Sequence, residues 1–154
     1  MKNALMNDSQ RRLADGMVDR GEYSQAGDIY SQMLEACPSD PHLLALRGYT
    51  FYREGRSADA LADFNAALAL KPDAPNTLFL RAKCKEMLND LDGAVADYRR
   101  VVALAPATAD AHSGIAMIYE YRGDLDSAKR EHEAARKIDP NLESSARFFQ
   151  KYGH

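Results

Sequence analysis

Tryptophan is absent from this chain of 154 residues, and cysteine occurs only twice, at Cys37 and Cys84. Neither cysteine has a neighbour with which to form a metal or redox motif, so both read as packing or solvent residues. No stretch approaches the ~18 uninterrupted apolar residues of a membrane-spanning helix, and the opening MKNALMNDSQRR holds no apolar run of signal-peptide length. The expectation is a cytoplasmic protein with no membrane partner. Asn7-Asp8-Ser9 spells a glycosylation acceptor, which has no consequence in a chain that is not exported. A basic excess is missing too: 20 Lys and Arg stand against 23 Asp and Glu, a net charge of −3. Nucleic acid is therefore not an expected partner, since its binding rests on neutralising phosphates.

Patterns for catalysis are equally scarce. No strand pattern is present for a glycine-rich phosphate loop to follow. His132, in Glu131-His132-Glu133, has no second histidine four residues away, as zinc-protease helices require. Asp90, Asp92 and Gly93 look like a fragment of a calcium loop, but Leu88 occupies the first ligand position and no closing glutamate follows. No catalytic, cofactor-binding or metal-ligating residue is assigned, and the chain reads as not an enzyme.

What is present is a period. Pro38, Pro72, Pro106 and Pro140 are 34 residues apart each time, as are Ala26, Ala60, Ala94 and Ala128. Gly21, Gly55 and Gly123 keep the same spacing, with Asn89 where the third copy would place glycine. Within the copy from Pro41 to Ala74, Leu44, Gly48 and Phe51 with Ala45, Tyr49 and Tyr52 give one helix two adjacent apolar stripes. Gly55 breaks the pattern, and Ala60, Leu61, Phe64, Ala67 and Leu68 mark a second amphipathic helix that ends before Pro72. The unit is a helical hairpin.

These residues resemble the tetratricopeptide repeat (TPR) family, whose signature is a 34-residue helix-turn-helix with small residues at helix crossings, an aromatic in each helix and a terminal proline. The resemblance implies an all-α fold: a right-handed α-solenoid of four hairpins with a C-terminal capping helix. The repeats are expected at 7–40, 41–74, 75–108 and 109–142, with a lead-in at 1–6 that extends the first helix through Met6, and a cap and tail at 143–154.

Start signals are expected at Ser24, Ser57, Asp92 and Asp126 for second helices, at Asp40 and Thr108 for first helices, and at Asn141 for the closing helix. In the third repeat Pro75 follows Ala74, a poorer cap. Lys85 falls where Phe51 packs, and is expected to lay its stem on the core with its ammonium in solvent. His132 takes the place of Tyr30, Phe64 and Tyr98, and His112 that of Leu44 and Leu78, so both read as packing rings. In the closing helix Ser145, Phe148, Phe149 and Tyr152 recur at helical spacing, to cover the last repeat or else to mark a dimer contact.

Fold alone does not name a ligand. In the TPR family the first helix of each hairpin lines a concave groove, which implies partner contacts here through Arg11, Asp15, Tyr49, Tyr52, Arg53, Phe79, Lys83, Glu86, Met87, Met117, Glu120 and Tyr121. Family members that bind acidic chaperone C-termini use a lysine, asparagine and arginine clamp; Asp15 and Tyr49 stand where its asparagines would be needed. The expected partner is a protein or peptide with an apolar segment flanked by basic residues, held by a non-catalytic adaptor, scaffold or chaperone-like module. The alternatives are a self-assembling homo-oligomer, joined through its terminal helices, or an immunity or secretion-chaperone protein for one dedicated partner.

Overall fold

The computed structural model describes residues 2–153, with side chains placed from Asn7 onward. The side chain of Met6, expected on the first helix's apolar face, and the tail residue His154 lie outside the described residues. Among the described residues nine helices follow one another with no strand: α1 Lys2–Asp19, α2 Tyr23–Ala36, α3 Pro41–Arg53, α4 Ser57–Leu70, α5 Pro75–Met87, α6 Leu91–Leu104, α7 Ala109–Tyr121, α8 Leu125–Ile138 and α9 Glu143–Tyr152. The helices α1–α8 form four antiparallel pairs, and each helix packs chiefly on those next to it in the chain, so the architecture is an all-α solenoid.

A left-handed residue ends every first helix: Gly21 (φ 78°), Gly55 (76°), Asn89 (61°) and Gly123 (78°). Their N–H groups donate to Val18, Tyr52, Glu86 and Glu120 carbonyls, and the next N–H reaches back five residues, from Glu22 to Met17, Arg56 to Phe51, Asp90 to Lys85 and Asp124 to Tyr119. This paired bond pattern closes the helix end and turns the chain by one fixed angle, four times over.

The same turn sets where second helices begin, and here the expected caps are corrected. Glu22, Arg56, Asp90 and Asp124 are the N-cap residues, one position past the left-handed residue. Asp90 accepts from Gly93 N–H (3.0 Å) and Asp124 from Ser127 N–H (3.1 Å). Ser24, Ser57, Asp92 and Asp126 therefore lie inside the first turn of their helices. Asp40 caps α3 as expected, accepting from His42 and Leu43 N–H at 2.8 and 3.1 Å. Thr108 holds the cap position of α7, yet its hydroxyl donates back to the Ala105 carbonyl (2.8 Å). Leu142, not Asn141, precedes α9; Asn141 N–H donates to Asp139 in the preceding turn.

The core is a ladder of rings, one per repeat. Tyr30, Phe64, Tyr98 and His132 are all fully buried, packed among the periodic alanines Ala26, Ala60, Ala94 and Ala128. Small residues let the rings approach: a Cβ on Gly48 would lie 2.8 Å from the Phe64 ring, and one on Gly114 would lie 2.7 Å from Tyr98. Cys84 is buried against Phe64 and Ala60, and burial pushes its thiol up to about 11, so it stays protonated and inert.

Polar groups tie successive repeats together in a pattern that hydrophobic periodicity does not show. Arg47 forms a two-pronged pair with Asp63 (2.7 and 2.8 Å) and reaches Ser31 (3.3 Å). One repeat later Arg81 pairs with Asp97 (2.8 and 2.6 Å) and reaches Asn65 (3.0 Å). Each arginine thus joins three helices, α2–α3–α4 and then α4–α5–α6. Lys85 belongs to the second cluster, with Nζ 2.9 Å from Asp97. Its ammonium is turned to a buried carboxylate, not to solvent as expected, because Asp97 lies within its reach; the previous repeat has the uncharged Phe51 at this position, and there Asp63 pairs with Arg47 alone.

Candidate functional site

The face lined by α1, α3, α5 and α7 carries the twelve expected contact residues, and the structure gives several of them intramolecular work. The Tyr30 hydroxyl donates to Asp15 (2.6 Å), and the Tyr98 hydroxyl donates to Glu86. Burial and these carboxylates raise both phenols well above the usual tyrosine range, so each remains a donor. Phe64 has no hydroxyl, and around it the face carries Tyr49 and Tyr52 in place of acids. The acidic residues of this face are thus partly the outer ends of the core's own tyrosines. A tyrosine at the ring position is the sequence signal for them.

Arg11 contacts His42 and lies 3.9 Å from Asp15. The Arg53 guanidinium stands 4.5 Å above the Tyr23 ring and 5.6 Å from that of Tyr49, whose hydroxyl it also meets at 2.6 Å. Tyr52 is half-buried against the Ala60, Phe64 and Cys84 cluster, and Phe79 meets Tyr98 edge-on at 5.5 Å. Lys83 is 3.6 Å from Glu86, and Glu120 is 3.9 Å from Lys151 of α9. Met87 is exposed at the mouth of the seam with the preceding repeat, its sulfur 3.5 Å from the Ser57 hydroxyl. Neither Asp15 nor Tyr49 offers the amide that the carboxylate clamp uses.

Two pockets open beside first helices. Met117 and Tyr121, 47% and 78% exposed, line a pocket of about 350 Å³ between α5 and α7 together with Glu86, Asn89, Leu91 and Ile118. A second pocket of about 290 Å³ lies between the starts of α3 and α5, where His42, Ala45 and Asn76 meet Lys71 and Asp73. The first is apolar with a carboxylate at its edge, and its volume is at the lower end of the range of small-ligand sites. Among the described residues no group of three or more His, Cys, Asp or Glu is placed to hold a metal ion, and no helix is long and apolar enough to cross a membrane.

A tetratricopeptide repeat family model matches residues 11–75, 45–107 and 87–143, which together take in most of the chain. The chain belongs to the tetratricopeptide repeat family. Solved TPR structures share its shape. MamA from Desulfovibrio magneticus RS-1 superposes with a TM-score of 0.82 at 19% identity, over 94% of this chain and 92% of that one. YrrB, described as a TPR protein with an unusual peptide-binding site, gives a TM-score of 0.82 at 20% identity, over 89% of this chain and 71% of its own. The first TPR of Spaghetti (RPAP3), solved with the HSP90 peptide SRMEEVD, gives 0.73 at 26% identity, over 76% of this chain and 93% of its own. As a TPR array the chain is a protein-interaction module.

Proposed function

We propose that this TPR array acts without catalysis as an adaptor or chaperone-like module, holding an apolar segment of a partner protein on its concave face, in an extended or helical form. The observation that carries this reading is the exposure of Met117 and Tyr121 beside a formed pocket. Adjacent exposed apolar side chains at a pocket mark an interaction site where scattered ones do not, Met adapts to irregular partners, and aromatics bury much area at little rotamer cost. Glu86 at the pocket edge favours a basic residue beside the segment's apolar anchor. The peptide complexes formed by related TPR folds agree with such a role.

Tyr52 and Phe79 are half-buried in the core, so truncating them would report on folding as well as binding. Met117→Ala with Tyr121→Ala removes exposed atoms instead. With a partner captured from the native cell extract by the wild-type array, the double variant should bind more weakly by at least ~2 kcal/mol, the hot-spot scale, at unchanged helix content. Arg130→Ala on α8 should leave binding unaltered. Equal titration curves for wild type and double variant would place the partner elsewhere.

Self-assembly through the terminal helices is the second reading. Phe148 is buried and Phe149 lies under the Arg136 guanidinium at 4.8 Å, so these aromatics are already spent on the intramolecular seam. Light scattering of the pure protein separates the two readings.

A further inference from the structure

Among the described residues, His132 Nε2 is the buried side-chain nitrogen or oxygen left without a hydrogen-bond partner. The reason lies in the ring ladder. Tyr30 and Tyr98 carry a hydroxyl outward to a carboxylate, and Phe64 has nothing to satisfy. The imidazole at the fourth position is shorter and polar, and it stops inside. Its Nδ1 is 3.1 Å from the Ser145 hydroxyl, and its ring lies 4.5 Å from Phe148 and 6.4 Å from Phe149. All three partners are on α9. The histidine is therefore the hub on which the closing helix rests.

A neutral imidazole tolerates this site, since one nitrogen shares a hydrogen with Ser145 and the other exposes only a lone pair or a single N–H. An imidazolium has two N–H donors and a charge, and only one of those donors has an acceptor. The charged groups around it do not make up the difference. From α7, Glu120 faces the ring but is shared with Lys151 of α9. On α8, Glu131 is committed to His112 (2.7 Å) and to Arg99, while Arg136 covers Phe149. On α9 itself Glu143 and Arg147 are exposed and face each other at 3.9 Å.

We propose that His132 makes the docking of α9 proton-sensitive: the array is closed at its C-terminal end while the ring is neutral, and acid releases α9 from repeat four while the earlier repeats stay folded. Burial lowers the His132 pKa below its ordinary 6.5, outweighing the pull of Glu120. With α9 released His132 binds a proton more readily than with α9 docked, so docking is at full strength above 6.5. It weakens as pH falls from there towards the docked-state pKa, and by up to tenfold per pH unit for a single proton. Release uncovers the apolar seat around Ala128 and Ala135 on α8 and the Phe148 ring that rested on it.

The test follows two readouts on the full chain from pH ~8 to ~5. The histidine ring resonances give the His132 pKa, and amide protection factors over 145–152 give α9 opening. Expected are a His132 pKa below that of a free histidine and a protection loss in α9 that begins near 6.5, with α3–α6 unchanged. His132→Phe, which places here the ring that repeat two already uses, should make α9 protection independent of pH. Changes common to both proteins come from groups other than His132. A His132 that titrates as a free histidine while α9 stays protected, or an identical pH profile in His132→Phe, overturns the proposal. If the variant does not fold, the wild-type titration with its α9 protection decides alone.

Discussion

Single positions decide how closely this chain can stack. Gly114 lies against the Tyr98 ring with no room for a methyl, and Gly48 lies likewise against Phe64. Gly114→Ala should therefore displace a ring that anchors two helices and cost about 1–3 kcal/mol, the usual scale of overpacking. Asn89 presents the opposite case. It holds φ 61° where three glycines do so freely, so Asn89→Gly should stabilise the array by up to about 1 kcal/mol, read as a rise in Tm without change in helix content. Lys85 shows what residue type alone conceals. A lysine on a core-facing stripe suggests a stem that packs and a charge that escapes, but the buried Asp97 on α6, across the hairpin, holds it instead.

At the scale of elements, turns carry the fold and ion clusters set its register. All helices from α2 to α8 were legible in the 34-residue period, because prolines, alanines and glycines each mark a geometric event once per repeat. The starts of second helices were not, because the residue after the left-handed turn is fixed by backbone bonds and is a cap whatever its side chain, as Arg56 shows. The site was less legible still. Asp15 and Glu86 read as partner contacts by position alone, whereas their carboxylates hold core tyrosines; only knowledge of which ring points at which acid separates the two roles. The triads Ser31–Arg47–Asp63 and Asn65–Arg81–Asp97 repeat at the same period, but a charged residue on a helix does not reveal which partner it meets across three helices. Asp97→Ala would leave Arg81 and Lys85 facing a half-buried void. It should cost about 3 kcal/mol, the scale of breaking a buried pair, whereas Glu22→Ala at the exposed Arg20 pair should change stability far less. Chemical denaturation of the two variants checks the contrast.

For the whole molecule, nearest-neighbour stacking implies stability that is highest inside and lowest at the ends. On α1 Ser9 and Arg12 are exposed where α3 has the buried Leu43 and the core-facing Leu46, and Leu13 beside them is exposed as well. Amides around Phe51, Phe64, Leu78 and Tyr98 should exchange most slowly, and uniform protection along the chain would contradict a linear array. Removing residues after Leu142 should lower solubility and loosen α7–α8 while repeats two and three persist. An unchanged melting curve with a monomeric truncated protein would show that α9 is no cap. The central claim, that the first-helix face holds a partner, is tested most directly by amide exchange of the array with and without its captured partner. The account predicts slowed exchange at the C-terminal ends of α5 and α7, from Lys83 to Asn89 and from Met117 to Tyr121. Slowing confined to α4, α6 and α8, with α5 and α7 unaltered, would contradict it.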